Sequence, residues 1–283
     1  MPVRYAGEHV RADTVSEALG YLADDTDTQV LAGGYSLMPE LKDGISTPSR
    51  LVDISGVDSL TGITRGAGET VISALSTHAD VAASAVVREN ARALAEATDS
   101  VGDYQAKHRG TIGGNLVFAD RKYDAPGAFL ALGGEVAVRS EDGSRTVGAD
   151  EWFDGADAPT LGSGELVTEV VVPDADRSGY VRTSEYSGYA VVSVAAALET
   201  EGRTVTDARL ATNGAKPYPV RLPAVEERLV GEPVSDLPES AADAALRDTD
   251  LDSLVSDGPV GGRYRRRLVR SYCRRALEDA TTA

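Results

Sequence analysis

Two glycine-rich segments constrain what this chain of 283 residues can build more than any other feature of its sequence. The first is AGGYS at 32–36, which directly follows a strand predicted over 29–31. The second is TIGGN at 111–115. A glycine pair after a strand indicates a positive φ or the close approach of another group to the backbone. An ordinary turn is the simplest explanation of either pair taken alone.

Together, the two segments predict a site for a phosphate-bearing ligand. Glycine turns expose successive backbone N–H groups, which bind anionic oxygens without a charged side chain. Further donors for phosphate or ribityl oxygens stand beside the turns, namely Ser36, Thr111 and Asn115. The sequence contains neither a GxxxxGKS/T loop nor an intact GxGxxG between a strand and a helix. We therefore expect a dinucleotide site that uses backbone donors and no phosphate-binding lysine.

The N-terminal part of the chain alternates between helix and strand patterns, which favours a mixed α and β architecture. A capping box at 14–17 opens a helix that should end near residues 24–25. A second capping pattern at 77–80 opens a helix predicted to run to about residue 97. An apolar segment follows the second glycine turn at 125–132. The predicted strands and hairpins cover 29–31, 51–54, 60–75, 136–147 and 166–172.

The C-terminal part begins after a polar connector at 174–178, which is the predicted domain boundary. Two strands are predicted over 191–198 and 209–212, and short helices over 224–229 and 239–247. The stretch 231–262 is rich in proline, aspartate and serine and is predicted to be exposed. The last helix is predicted over 263–279, with an apolar face made of Tyr264, Leu268, Tyr272, Ala276 and Leu277.

The acidic composition limits the partners that the chain can have. Its 45 acidic and 28 basic residues give a net charge of −17, and only four of the basic residues are lysine. A diffuse acidic excess of this kind is typical of halophilic proteins and argues against non-specific binding to nucleic acid. No apolar run approaches the roughly 18 residues of a membrane span. A cytoplasmic protein with no membrane span is expected.

The residues that usually carry metal or catalytic chemistry are scarce. Cys273 is the only cysteine, which excludes an internal disulfide, a zinc-thiolate site and a four-thiolate iron–sulfur cluster. His9, His78 and His108 are scattered without metal-ligand spacing. No Ser/His/Asp or paired-carboxylate arrangement stands out. No metal site and no acid–base catalyst is therefore predicted.

Both glycine segments resemble the flavin loops of a known family, the FAD-binding medium subunits of the molybdenum hydroxylases. These are subunits of the CO dehydrogenase, xanthine dehydrogenase and nicotinate dehydrogenase type. The first flavin loop is similar to AGGYSLMPELKDGISTPSRLVDIS at 32–55, and the second to VGDYQAKHRGTIGGNLVFADRKYDAP at 101–126. Two further segments, STHADVAAS at 76–84 and GGRYRRRLVRSYCRRAL at 261–277, are similar to family segments in the same order. The resemblance spans nearly the whole chain.

The resemblance implies an α+β fold of the p-cresol methylhydroxylase/vanillyl-oxidase type. An FAD-binding domain would occupy residues 1–175, in two subdomains with a boundary near residue 55. A small α/β C-terminal domain of the CO dehydrogenase flavoprotein type would occupy residues 176–283. The flavin would lie between the two subdomains, with its pyrophosphate on the two glycine segments.

The family motif also assigns residues to the FAD site. The first flavin loop corresponds to Ala32, Gly33, Gly34, Tyr35 and Ser36. The second corresponds to Thr111, Ile112, Gly113, Gly114 and Asn115. Four further residues are implied, namely Asp124 at the aspartate position that helps to hold the cofactor, Val101 and Val167 as apolar contacts, and Arg182 near a position that is often lysine.

The implied function is electron transfer inside a larger complex. A large molybdopterin-binding subunit would oxidise the substrate, and a small subunit with two [2Fe–2S] clusters would pass electrons to the FAD held by this chain. The acceptor would be NAD or a quinone, and the complex would be a dimer of heterotrimers. Two alternatives are a self-contained flavin-dependent oxidase of the same fold and a scaffold subunit that has lost its flavin.

Three places depart from the family pattern. Tyr35 replaces a histidine or a smaller polar residue, and the stretch 42–44 lacks a basic pair. The run DRKYD at 120–124 brings Arg121, Lys122 and Tyr123 where relatives have proline and small residues. These three side chains either alter the choice of electron acceptor or point to solvent. The arginines of the last helix either dock a partner subunit or pair with carboxylates of their own domain.

Overall fold

The computed structural model describes residues 6–24, 27–155, 159–184, 188–237, 239–257 and 260–282. Within these ranges the strands form three sheets, of three, five and four strands. The first sheet is parallel, and the other two are antiparallel. The mixed helix and sheet architecture predicted from the sequence is confirmed.

The first unit is a small parallel sheet with crossover helices. It consists of β1 (Glu8–Arg11), α1 (Val15–Asp24), β2 (Thr28–Leu31), α2 (Leu37–Asp43) and β3 (Arg50–Asp53). The strand order is β1-β3-β2. The first glycine segment begins directly after β2, at the carboxyl end of a parallel strand, which is where ligands bind in open α/β sheets. Helix α1 follows the prediction, although residue 25 lies outside the described residues.

The second unit combines a five-stranded antiparallel sheet with short helices. Its strands, in the spatial order β4-β5-β8-β6-β7, are β4 (Ile63–Arg65), β5 (Glu69–Ser73), β6 (Glu135–Ser140), β7 (Gly143–Gly148) and β8 (Leu166–Pro173). Its helices are α3 (His78–Ala83), α4 (Ala85–Asn90), α5 (Arg92–Asp99), α6 (Tyr104–Arg109), α7 (Ile112–Phe118), α8 (Ala125–Ala131) and α9 (Ala149–Trp152). A 3-10 turn, Asp58–Leu60, precedes β4. The buried Trp152 donates its indole N–H to the carbonyl of Leu116 at 3.1 Å, so this large core side chain leaves no unpaired donor.

Two sequence predictions in this unit are wrong. The single helix expected from residue 77 to about residue 97 is divided into α3, α4 and α5. Ser84 ends α3 and caps α4 by accepting a hydrogen bond from the N–H of Val87, and Ala91, with a φ of −143°, separates α4 from α5. The second glycine segment is not a turn, because Gly113 and Gly114 lie in the first turn of α7, which Thr111 caps.

The C-terminal unit is a four-stranded antiparallel sheet covered by a long helix. Its strands, in the order β12-β11-β10-β9, are β9 (Arg177–Ser184), β10 (Ala190–Glu201), β11 (Thr204–Asn213) and β12 (Val220–Arg221). Its helices are α10 (Pro223–Glu226) and α11 (Gly262–Thr282), with 3-10 turns at Glu239–Ala244 and Leu251–Ser253. Among the described helices, none is both long and apolar enough to cross a membrane.

Several boundaries predicted for this unit differ from the structure. The connector expected at 174–178 is shorter, because β9 already begins at Arg177. The two helices expected over 224–229 and 239–247 are the single turn α10 and a 3-10 turn. The stretch 231–262 is not exposed throughout, because four of its alanines are buried in the same core as α11, namely Ala241, Ala242, Ala244 and Ala245.

The apolar face of α11 agrees with the prediction in part, because Ala276 and Leu277 are buried and Leu268 and Tyr272 pack half-buried on the same core. The residues that it buries include Arg265, Val269, Cys273, Ala276 and Ala280, whereas Tyr264 is 52% exposed. The arginines of this helix mostly serve their own unit. Arg266 donates to the carbonyl of Thr249, Arg270 donates to that of Ala245 at 3.3 Å, and Arg274 pairs with Asp243 at 2.7 Å. These contacts favour the packing interpretation over the docking interpretation.

We expect the double substitution Arg266→Glu/Arg270→Glu to destabilise the isolated chain. Each change removes a guanidinium that donates to a backbone carbonyl and places a carboxylate, which can only accept, beside that oxygen. The loss should amount to roughly 2–3 kcal/mol of unfolding free energy. Thermal or urea unfolding measures it, with Arg263→Glu/Arg267→Glu as the matched control, because both of these arginines are exposed on the same helix. Equal stability of the two doubles would contradict the packing role.

Candidate functional site

A cavity of about 550 Å³ opens between the first and second units. Its volume lies within the roughly 300–1,000 Å³ that is typical of ligand clefts. The first glycine segment and the start of α7 line it, together with residues from 101–110, 122–124 and 161–167. Gly188 and Tyr189 of the C-terminal unit complete its wall.

Gly33 allows the two glycine-rich regions to touch. A Cβ atom at this position would lie 1.7 Å from the carbonyl oxygen of Arg109 and 3.3 Å from the Cα of Gly110. Only glycine fits at such a distance from another backbone. Gly34 is needed for a different reason, because its φ is +72°. The first segment thus uses one glycine for close approach and the other for its backbone conformation.

The two glycine segments differ in whether their backbone N–H groups are already hydrogen-bonded within the protein. Across the residues that the structure describes, the N–H groups of residues 33–36 have no hydrogen-bond acceptor. In the second segment, Ile112 N–H donates to Ser76 O at 2.9 Å and Gly113 N–H donates to Ala74 O at 3.0 Å. Gly114 N–H donates to the Thr111 hydroxyl oxygen at 3.3 Å. The expectation that both segments offer free backbone donors is therefore wrong for the second.

Side chains supply polar groups where the second segment lacks free backbone donors. The buried Asn115 Oδ1 has no partner among the described residues, although Asn115 lines the cavity. A buried polar atom without a partner is costly, and such an atom on a cavity wall indicates a bound ligand group. Ser36 Oγ and Tyr123 OH lie 2.5 Å apart, and this contact connects the first glycine segment to the run at 120–124.

Asp124 is the most deeply buried carboxylate of the cavity wall. Tyr180 donates its hydroxyl to Oδ1 of Asp124, and Arg182 donates from Nη1 to Oδ2 at 3.0 Å. Burial raises the pKa of Asp124 to about 6, against the opposing effects of the Arg182 charge and the Tyr180 hydrogen bond. Desolvation, with the nearby Asp124 charge, also raises the pKa of Tyr180 well above its usual value, so this hydroxyl keeps its proton and can donate.

Other titratable groups on the wall are held neutral. Burial, and the charge of Lys107, lower the pKa of His78 to about 4, so the imidazole is uncharged near pH 7. Burial raises the pKa of Tyr123 to about 12 and also raises that of Tyr35. His78, Tyr35 and Tyr123 therefore offer the cavity uncharged hydrogen-bonding groups near neutral pH.

The structure places all but two of the predicted site residues on the cavity wall. Those on the wall are Ala32, Gly33, Gly34, Tyr35, Ser36, Val101, Thr111, Gly113, Gly114, Asn115, Asp124 and Val167. Ile112 is buried behind the wall in the core. Arg182 is not on the wall either, because it lies behind Asp124.

The side chains of the run DRKYD at 120–124 point in different directions. Lys122 and Tyr123 line the cavity, with the Lys122 ammonium 5.6 Å from the centre of the Tyr189 ring. Arg121 instead pairs with Asp257 of the C-terminal unit at 2.5 Å. His78, Gly110 and Tyr189 were not predicted; the first two lie inside the motif segments, whereas no sequence signal marks Tyr189. Among the described residues, no cluster of three or more potential metal ligands occurs.

The chain is similar to known proteins across nearly its whole length. Residues 5–175 match the family described as "FAD binding domain in molybdopterin dehydrogenase", and residues 184–280 match "CO dehydrogenase flavoprotein C-terminal domain". The chain is 31% identical over 274 residues to the glyceraldehyde dehydrogenase medium chain of Sulfolobus acidocaldarius, covering 96% of this chain and 97% of that protein.

The chain is also similar to the medium chain of a carbon monoxide dehydrogenase, both in sequence and in structure. The medium chain of the Hydrogenophaga pseudoflava enzyme is 31% identical over 252 residues, covering 87% of each chain. A solved structure of that enzyme, which lacks the Mo-pyranopterin moiety of its molybdenum cofactor, superposes with a TM-score of 0.90 at 30% identity. The match covers 98% of this chain and 97% of the solved chain.

Proposed function

Because the chain belongs to the FAD-binding medium subunits of the molybdenum hydroxylases, we propose that the cavity between its first two units is the FAD site. We further propose that the chain passes electrons through FAD to an acceptor inside a multi-subunit oxidoreductase. The observation that carries the site assignment is a set of polar groups on one wall that have no partner within the described ranges, namely the N–H groups of residues 33–36 and Asn115 Oδ1.

These groups fit FAD because each offers a bond that a part of the cofactor can complete. The free N–H groups of residues 33–36 suit the anionic pyrophosphate. Asn115 and the Thr111 hydroxyl suit phosphate or ribityl oxygens, and the Asp124 carboxylate accepts hydrogen bonds from hydroxyl groups. The neutral His78 and Tyr123 add no negative charge to the wall. FAD, when bound, supplies the redox chemistry, and the chain supplies binding, orientation and exclusion of water.

The rest of the relay would reside in partner subunits. Cys273 is the only cysteine, and burial raises its pKa to about 12, so it is an inert core thiol and no cluster ligand. We propose a large molybdopterin-binding subunit and a small [2Fe–2S] subunit as partners, assembled in the cytoplasm as a dimer of heterotrimers. NAD or a quinone would accept the electrons. The domain division of the proposal is residues 1–175 for FAD binding and 176–283 for the C-terminal domain.

We expect the full chain to retain about one FAD and Asn115→Ala to bind it about fivefold more weakly. The loss of one hydrogen bond, about 1 kcal/mol, produces an effect of this order. Flavin absorbance and equilibrium dialysis measure both results. Asn90→Ala is the matched control, because the amide of Asn90 bonds within α4 to the carbonyl of Val86, away from the cavity. Wild-type chain that takes up no FAD on reconstitution would identify a scaffold subunit instead.

The acidic surface leads to a second proposal, that the chain works at high salt. At a net charge of −17, repulsion among carboxylates should loosen the fold in dilute buffer, and added salt should screen it. The thermal midpoint should therefore rise between dilute and molar KCl. Choline chloride at equal ionic strength separates screening from specific potassium binding. A midpoint that does not change with salt would count against halophilic adaptation.

A further inference from the structure

Strand β9 of the C-terminal unit carries two side chains that reach the cavity wall from behind. Tyr180 and Arg182 are two residues apart on the strand and so point to the same face. Both of them bond Asp124, and each takes a different carboxylate oxygen. Arg182 also donates to the carbonyl of Gly188, at 2.9 Å, on the cavity rim. Asp124 therefore receives its hydrogen bonds from a unit outside the one to which it belongs.

The position of β9 is itself fixed from the opposite side. The backbone N–H of Tyr180 donates to Glu96 Oε2 at 3.0 Å and lies 3.3 Å from Asp279 Oδ2. Gly179 packs so closely on α11 that a Cβ there would lie 2.7 Å from the N atom of Ala280. Tyr180 is thus held between α5 and α11 on one side and Asp124 on the other.

Burial and hydrogen bonding act on Asp124 in opposite directions. Its side chain is 5% exposed, and this burial favours the neutral acid, whereas Arg182 and Tyr180 favour the carboxylate. Other elements packed against α8, which Asp124 precedes, bring little charge to it. Helix α7 has no titratable residue, and on β11 and β12 Arg209 and Arg221 pair with Asp150. On α5, Arg92 pairs with Glu96.

We propose that Tyr180 and Arg182 are positioning residues of the flavin site, which hold Asp124 ionised and oriented so that it accepts hydrogen bonds from the bound cofactor. The inference rests on the proposed function, that the cavity binds FAD. Two of the roughly four lone-pair positions of a carboxylate are used by Tyr180 and Arg182, which leaves the others for a ligand hydroxyl. The C-terminal unit is thereby a working part of the cofactor site, and FAD affinity depends on pH.

FAD affinity should be higher at high pH, where Asp124 is ionised, than at low pH. A protonated Asp124 loses acceptor capacity, so FAD affinity should fall as the pH decreases through about 6. Arg182→Gln removes the charge that favours the carboxylate, and the midpoint should move upward by about 1–3 pH units. Tyr180→Phe removes one hydrogen bond and should move it upward by less. Arg182→Lys keeps the charge and should restore most of the wild-type profile.

The test measures FAD binding to the full chain by equilibrium dialysis, from about two units below to about four units above the pKa of Asp124, so that the range includes the shifted midpoints. Tyr272→Phe is the matched control, because it makes the same chemical change on α11, away from the cavity. The protonated-carboxyl infrared band that disappears in Asp124→Asn gives the pKa of Asp124 without FAD. Thermal melts of the FAD-free variants at high pH exclude general unfolding, and Arg182→Gln keeps the test decisive if Tyr180→Phe does not fold.

The possible results distinguish the positioning role of Tyr180 and Arg182 from the proposed FAD site itself. Upward shifts of the midpoint in Arg182→Gln and Tyr180→Phe, with Arg182→Lys and Tyr272→Phe near wild type, support the positioning role. Wild-type midpoints in both variants, or an infrared pKa that does not change in Arg182→Gln, overturn it and leave the FAD site intact. A wild-type chain that binds no FAD at any pH overturns the proposed site and the inference with it.

Discussion

Gly33→Ala should abolish FAD binding. The new Cβ would meet the carbonyl oxygen of Arg109 at 1.7 Å, about half of a normal contact distance. This neighbour is backbone, so no side-chain rotation can relieve the clash. The first glycine segment must therefore move away from Arg109 and Gly110, which displaces the free N–H groups of residues 33–36 from the rest of the cavity. Displaced donors cannot act together on one pyrophosphate.

We expect the FAD affinity of Gly33→Ala to fall by at least about a hundredfold, which corresponds to about 3 kcal/mol. Gly148→Ala is the matched control, because a Cβ there meets nothing within 4 Å and the φ of Gly148 is −69°. Flavin absorbance after reconstitution and equilibrium dialysis measure the difference. A Gly33→Ala chain that binds FAD like the control would show that contact between the two glycine-rich regions is unnecessary.

Local signals in the sequence predicted the elements that depend on local interactions. The hairpin at 136–147 and the capping boxes at 14–17 and 77–80 satisfy their own hydrogen bonds within a few residues. The structure accordingly contains α1, α3 and the β6–β7 pair where expected. The capping pattern at 77–80 predicted one helix to about residue 97. The competing cap at Ser84 divides it.

Long-range contacts determine what the sequence could not show. Two adjacent glycines are unfavourable inside a helix, so a turn was the reasonable prediction for Gly113 and Gly114. Within α7, position 113 requires glycine, because a Cβ there would lie 2.7 Å from the Cβ of Ala74. The same contact engages the N–H of Gly113 and removes it as a free donor. Motifs therefore located the cavity wall but not the state of its donors.

The burial of a charged residue in the terminal helix was also not predictable from the sequence pattern. Arginine is almost never fully buried unless it is paired, so a sequence pattern assigns Arg265 to the exposed side. In the structure Arg265 is fully buried, and the buried face of α11 contains Arg265, Val269 and Cys273 besides the predicted Ala276 and Leu277. Its partners come from β10, the loop after β11 and the loop before α11, and no local pattern contains that information.

Arg265→Met should cause the largest loss of stability of any single change in the C-terminal unit. Nη1 of Arg265 donates to the carbonyls of Val191 and Gly214, at 2.5 and 2.8 Å, and Nη2 donates to Asp257. Methionine fills a similar volume but leaves two buried carbonyls without this donor and removes one of the two arginine partners of Asp257. Breaking a buried, paired charge costs about 3–5 kcal/mol.

A loss of this size should lower the thermal midpoint by roughly 10 °C in a chain of this length. Arg267→Met is the matched control, because Arg267 is exposed on the same helix. Asp257 also pairs with Arg121, so the change should loosen the run at 120–124 and increase hydrogen exchange beside the cavity. Equal midpoints for the two variants would mean that Arg265 does not stabilise the contact between β10 and the loop after β11. A lower midpoint with unchanged exchange at 120–124 would confine its role to the C-terminal unit.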